Sequence, residues 1–231
     1  MESDLEICIE IIKNMIKENK RITIISDNYN TFKEKITNYI YANNLDETEE
    51  WKNISKAMIY TSIEWLSLKE ANTILYNLEL LNRINLKNKK EEIIFDKHIH
   101  PLISRVCKKK FFDGHYADSV ESAFKEINSR CKKIYRNKVG NEKDGSDLMN
   151  CIFSPNNPIL QFEDIRTKSG SDVQKGYMQI FSGSILAIRN PKAHENQTLN
   201  KEEAFKRLML ASLLMDKIDE AEEYMKNNET N

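Results

Sequence analysis

Glycine and proline are scarce in this chain, at 6 and 4 of 231 residues. A fold made of many short strands needs both at its turns, so the shortage excludes a turn-rich β architecture and favours long helices with short connections. An excess of charge of one sign is also lacking. Thirty-five basic and 36 acidic residues leave a formal charge of -1, so no global field draws the molecule to nucleic acid, and any such function must come from a local patch. The four cysteines, Cys8, Cys107, Cys131 and Cys151, show no CxxC spacing for zinc or redox work and do not look like a disulfide framework, which fits a reducing cytoplasm. The N-terminal stretch "MESDLEICIEIIKNMIKENK" has Lys or Glu every few residues and lacks the uninterrupted apolar run of a signal peptide or membrane span. The expectation is a soluble, cytoplasmic protein with no membrane partner. There is no 34-residue repeat, although "GHYADSVESAFKEI" has the look of half a tetratricopeptide unit.

What is present is helical periodicity. Leu5, Cys8, Ile9, Ile12, Met15 and Ile16 recur at the three-and-four spacing of an amphipathic helix, predicted over Asp4 to Lys20. "ITIIS" from Ile22 is β-branched but too isolated to support a sheet, and reads as a connector. Further helices are predicted at about Thr31 to Ala42, Glu47 to Leu66 and Leu68 to Ile84, the last opened by Ser67 and Glu70 at capping-box spacing. Asn85 to Glu92, "NLKNKKEE", is polar enough to be a linker. The chain is long enough for one large domain or two small ones. The reading adopted is an N-terminal helical unit over 1–90, of unassigned role, and a helical domain over 95–231.

In that second part, "HPLISRVCKKKFFDG" reads as one helix ending at Gly114, and "YADSVESAFKEINSRCKKIYRN" as a longer one. Ala117, Val120, Ala123, Phe124, Ile127, Cys131 and Ile134 lie on one face of the longer helix. "KVGNEKDGSD" and "RTKSGSD" read as loops, "SPNNPILQF" as an extended segment, and "VQKGYMQIFSGSILAIR" as a helix. Asn200 and Glu203 cap the last helix, whose apolar face runs through Ala204, Leu208, Ala211, Met215 and Ile218. The fold class is therefore all-α, with a bundle of about four or five helices in the C-terminal part.

Three groups of side chains could carry chemistry. His98, His100 and His115 with Asp113 or Asp118 have metal-ligand residue types, but His-x-His at a helix start without a second close pair reads as polar capping, and no metal is assigned. Arg105 to Lys138 holds ten basic residues against four acidic ones, a difference of six. That concentration either attracts RNA in a salt-sensitive way or is a set of ordinary solvated helix faces. Phe111, Phe112 and Tyr116 read as core. The third group is "AIRNPKAHE", Ala187 to Glu195. On a continuous helix Arg189 and His194 would be separated by about 140° of rotation. Pro191 stops the helix at about Asn190, and the turn that follows can bring the two side chains together. A histidine can take the proton of a ribose 2′-hydroxyl or give one to the leaving oxygen, and a guanidinium can stabilise the charge gathering on phosphorus. Asn190 and Lys192 could hold phosphate oxygens. From spacing alone, an arginine capping a helix end and a surface histidine is the favoured reading.

The resemblance to known sequences is more specific. "RNPKAH" matches the R-x4-6-H motif of the HEPN superfamily (higher eukaryotes and prokaryotes nucleotide-binding). "HIHPLI", "FFDGHYADSVESAFKEINSR", "DGSDLMNCIFSPNNPIL" and "GYMQIFSGSILAIRNPKAHE" resemble the Ymh-type family of bacterial proteins assigned to that superfamily. The resemblance covers about residues 95 to 225. It implies an α-helical bundle, a metal-independent endoribonuclease with no cofactor, and Arg189 and His194 as the catalytic pair. It further implies a homodimer that sets two motifs side by side, and a toxin or antiviral defence role with a defence-system or antitoxin partner. Some members of the superfamily keep the fold as a non-catalytic RNA-binding or protein-interaction module, and this is the alternative. Asp118 and Glu121 would face the motif helix in a four-helix arrangement, which makes them candidates for orienting Arg189 or His194.

Overall fold

A computed structural model describes residues 3–17, 22–23, 27–59, 65–189 and 198–229. The architecture is all-α. The helices are α1 (Asp4–Lys17), α2 (Asp27–Ala42), α3 (Glu49–Ile59), α4 (Leu68–His98), α5 (Pro101–Phe112), α6 (Tyr116–Val139), α7 (Gly145–Ile152), α8 (Lys168–Ser184) and α9 (Lys201–Glu229). A π-helical turn, Ile185–Arg189, extends α8. Two short strands, β1 (Ile22–Thr23) and β2 (Trp65–Leu66), form an antiparallel pair. The chain divides into two compact units, residues 1–93 and 94–231.

In the first unit, α1 packs on α2. Their apolar stripes, Leu5, Cys8 and Ile12 against Phe32, Ile36 and Ile40, join Ile54, Ala71, Ile74 and Leu78 in one core. The capping box foreseen at Ser67 is present. The Ser67 N–H donates to Glu70 Oε2 at 2.8 Å, and the Glu70 N–H donates to Ser67 Oγ at 3.2 Å. Ser3 and Glu6 make the same exchange at the start of α1.

Three expectations for this unit change. Ile22 and Thr23 are strand residues rather than a connector, paired with Leu66 and Trp65. The helix expected over Glu47 to Leu66 spans Glu49–Ile59, and the chain is extended again at Trp65–Leu66. The segment Asn85 to Glu92, expected as a linker, is helical within α4. Its side chains are almost all exposed, so it lacks the apolar stripe by which a helix is recognised, and its Lys, Glu and Leu are good helix formers.

In the second unit α6 is the central element, packed against α5, α7, α9 and the π-turn. It buries Val120, Ala123, Phe124, Ile127, Cys131 and Tyr135, while Ile134 is only partly buried. A left-handed Gly140, at φ 77°, ends α6 and returns its N–H to the Arg136 carbonyl. Phe111 is buried, with Phe95 and Tyr116 rings at 5.1 and 5.5 Å, and Phe112 and Tyr116 pack on the same core. The segment 154–162, expected to be extended, is a series of bends whose Ile159 and Leu160 N–H groups fold back onto the Ile152 carbonyl, and it is held by Gln174, which is fully buried. Its amide donates to the Phe153 and Leu160 carbonyls at 3.2 and 2.9 Å and its oxygen accepts from the Phe162 N–H at 3.1 Å. Asn200 caps α9 through its side-chain oxygen, which accepts from the Glu203 N–H at 2.8 Å.

Two stretches expected as loops contain helix starts. "GSD" of the first opens α7 at Gly145, and "KSGSD" of the second opens α8 at Lys168. In both, a side chain at the cap accepts from the new helix: Asp144 from Gly145 and Thr167 from Gly170.

Candidate functional site

The motif arginine sits at the end of the π-turn. A π-turn widens the helix locally by one residue and is frequent at functional positions. Here it runs Ile185–Arg189, anchored by the buried Ile185. Asn190, Pro191, Lys192 and His194 lie outside the described residues.

Arg189 reaches a carboxylate that sequence reading did not single out. Its Nη1 donates to Asp144 Oδ1 at 3.3 Å, with the arginine side chain 23% exposed. Asp144 is the N-cap of α7 and accepts from the Gly145 N–H at 2.7 Å. Lys132, on α6, donates from Nζ to Asp144 Oδ2 at 2.8 Å. Asn128, buried on α6, accepts from the same Gly145 N–H at 3.1 Å and also hydrogen-bonds the Asp144 carboxylate. Burial alone would raise the Asp144 pKa. The hydrogen bonds from Lys132, Asn128 and Gly145 and the charge of Arg189 outweigh it and bring the pKa down to about 2. The carboxylate is thus charged at any ordinary pH.

For Arg189, neither Asp118 nor Glu121 is the orienting acid; His194, which those acids could also orient, lies outside the described residues. Glu121 pairs with Lys125 at 2.8 Å, one turn along its own helix. Asp118 lies in the first turn of α6, fourteen residues before Lys132, or about 21 Å along the axis at 1.5 Å per residue. The acidic partner of Arg189 among the described residues is therefore Asp144.

The basic stretch from Arg105 to Lys138 is largely neutralised by folding. Arg105 pairs with Glu126, Lys108 with Asp96, Lys109 with Asp113, Lys125 with Glu121 and Lys132 with Asp144. Arg130 pairs with Asp219 and Glu222, and Arg136 with Glu142. Lys110 donates to Ser122. Several of these acids come from outside the stretch, so the local surplus counted along the chain overstates the charge that the folded surface presents.

The histidines divide in the same way. His100 is the N-cap of α5: its Nδ1 accepts from the Leu102 N–H at 3.1 Å, which leaves the proton on Nε2, 2.8 Å from Asp219 Oδ2. His98 is in the last turn of α4, and His115 caps α6 without a side-chain bond. Asp113 pairs with Lys109. Among the described residues, His100, Asp216 and Asp219 have ligand-type atoms within 4.8 Å of one another. A metal there would have to displace the Nε2 proton that the Leu102 contact dictates, and Asp219 already binds Arg130 at 2.5 Å. The group reads as a structural clasp of α5, α6 and α9. Ser212 completes it, accepting from the His100 N–H at 2.7 Å and donating to the His98 carbonyl at 3.2 Å.

No described helix is long and apolar enough to cross a membrane. A family model described as "Protein of unknown function (Hypoth_ymh)" matches residues 97–218. That is more than half of the chain, and the chain belongs to this family. The match begins at the end of α4 and closes within α9, so it takes in α6, α7, the π-turn and the motif that follows. No curated protein and no solved structure matches the chain.

Proposed function

We propose that this member of the Hypoth_ymh family is a metal-independent endoribonuclease of HEPN type, with Arg189 and His194 as its catalytic pair. The observation that carries the reading is the placement of Arg189. It stands at the end of a π-turn, partly exposed, and is held through one nitrogen by the Asp144 carboxylate. A guanidinium has five N–H donors, so a hold through a single Nη leaves donors for the two free oxygens of a phosphodiester.

In this reading the His194 imidazole takes the proton of the ribose 2′-hydroxyl as its oxygen attacks the adjacent phosphorus, and the bond to the 5′-oxygen breaks. The products are a 2′,3′-cyclic phosphate and a free 5′-hydroxyl, the latter protonated by an acid such as the imidazolium. Arg189 stabilises the negative charge that builds on the phosphoryl oxygens. Asn190 and Lys192, flanking the proline, hold phosphate oxygens. A second copy of the chain sets its own motif alongside. Ile180 and Leu186, exposed on the stretch that leads to Arg189, supply apolar surface for such a contact. The biological role that fits is a toxin or antiviral effector acting on RNA in the cytoplasm, restrained or triggered by a defence-system or antitoxin partner.

The alternative, a non-catalytic RNA-binding module, would rest on the basic face of α5 and α6, and the ion pairs across that face weaken it. The test is cleavage of RNA by the purified chain in excess chelator, beside Arg189→Ala and His194→Ala.

A further inference from the structure

The Asp144 carboxylate is supported from three directions that do not involve Arg189. Its own helix start gives the Gly145 N–H, and α6 gives the Lys132 ammonium and the Asn128 side chain. Its position is therefore set by α6 and α7, and Arg189 arrives at a carboxylate that is already in place. The reverse does not hold: a long arginine side chain at the end of a helical turn has several rotatable bonds and loses entropy when fixed. Among the described residues, the contact that fixes it is the one to Asp144.

Charge also bears on the pairing. A bare Arg–Asp pair is neutral and would offer a phosphate little attraction. Here Lys132 lies on the second oxygen of the same carboxylate, so the row Lys132, Asp144, Arg189 carries two positive charges and one negative. The remaining single positive charge complements the single negative charge of a phosphodiester.

We infer that Asp144 is the positioning residue for Arg189, holding the guanidinium for a phosphodiester from the N-cap of α7 while Lys132 offsets its charge. The inference rests on the ribonuclease reading for its substrate, but the contact itself is testable without activity. Asp144→Asn is the informative variant, because asparagine caps a helix as well as aspartate does and so preserves the start of α7 while removing the charge.

The experiment uses the full chain labelled at arginine, with the Arg189 resonances assigned by their loss in Arg189→Lys. In the wild type, rotation about the Arg189 Nε–Cζ bond is slowed and its Nη resonances are split. In Asp144→Asn both features disappear, while the Arg130 resonances stay as they were. Identical Arg189 resonances in the wild type and in Asp144→Asn would overturn the inference. Kinetics on a single-stranded RNA give the second readout. Asp144→Asn lowers kcat by roughly 100-fold, the loss expected from misplacing a catalytic group by about 1 Å, with KM little changed. A fall in kcat/KM that comes through KM, with kcat unchanged, would mean that Asp144 acts otherwise than through Arg189. A wild type that cuts no RNA would sink the ribonuclease reading, and the resonance comparison would still decide whether Asp144 positions Arg189.

Discussion

The Arg189 guanidinium donates to the Asp144 carboxylate at 3.3 Å, across a separation of 45 residues. This pairing ties the end of the π-turn to the start of α7. It also predicts an acid dependence of stability. The folded-state pKa of Asp144 lies at about 2, below its ordinary value of 3.8. The stabilisation is thus fully present above about pH 4 and is lost as the pH falls toward 2. The side chain is half exposed, so the effect is small. Thermal melts of the wild type and Asp144→Asn should differ at pH 5 and converge as the pH approaches 2. A gap that widens on acidification would contradict the assignment.

Gln174 pins the bent segment before α8 with three hydrogen bonds, two of them buried and the third partly so. Replacing it with leucine leaves the Phe162 N–H and the Phe153 and Leu160 carbonyls without that partner. The expected loss is about 1–3 kcal/mol for each such group that finds no other. Urea denaturation measures it, and an unchanged midpoint would show that these groups find water or new partners.

Gly170 lies where the backbone of Asp164 crosses the first turn of α8. A Cβ there would stand 2.2 Å from the Asp164 carbonyl oxygen, and backbone cannot swing aside as the tip of a side chain can. Gly170→Ala therefore destabilises the fold by roughly 1–3 kcal/mol, even though alanine in an open helix gains about 1 kcal/mol over glycine. A higher melting temperature for the alanine variant would refute this close approach.

The four thiols should react unequally. Cys8, Cys107 and Cys131 are buried, and burial pushes each pKa up to about 12. Cys151 is only half-buried and accepts from the Lys143 ammonium at 2.9 Å. A disulfide reagent added to the native protein should modify one thiol quickly, and Cys151→Ser should remove that phase. Fast reaction of two or more thiols would mean that one of the cores opens readily.

The helices with apolar stripes were legible in the sequence, because three-and-four spacing appears without knowledge of any partner. The caps at Ser67 and Asn200 were legible too, being local. Asn85 to Glu92 was not, since a helix exposed all round has no stripe, and its polar lysine-rich composition is shared with linkers. The short α7 was hidden for another reason. Gly145 adopts a left-handed φ of 63°, and a glycine beside Asp and Ser reads as a turn. A four-helix arrangement makes Asp118 and Glu121 on α6 candidates for orienting Arg189 or His194. For Arg189 the acid is instead Asp144, which α6 supports through Lys132 and Asn128, while His194 lies outside the described residues. No local pattern links Asp144 to a residue 45 positions away, and only the fold brings them together.

The most direct test of the account is cleavage of total and transfer RNA by the purified full chain in excess EDTA, beside Arg189→Ala and His194→Ala. The account predicts cutting that survives the chelator, leaves 2′,3′-cyclic phosphate ends and vanishes in both variants. Cutting that needs an added divalent ion, or that persists in His194→Ala, would contradict it.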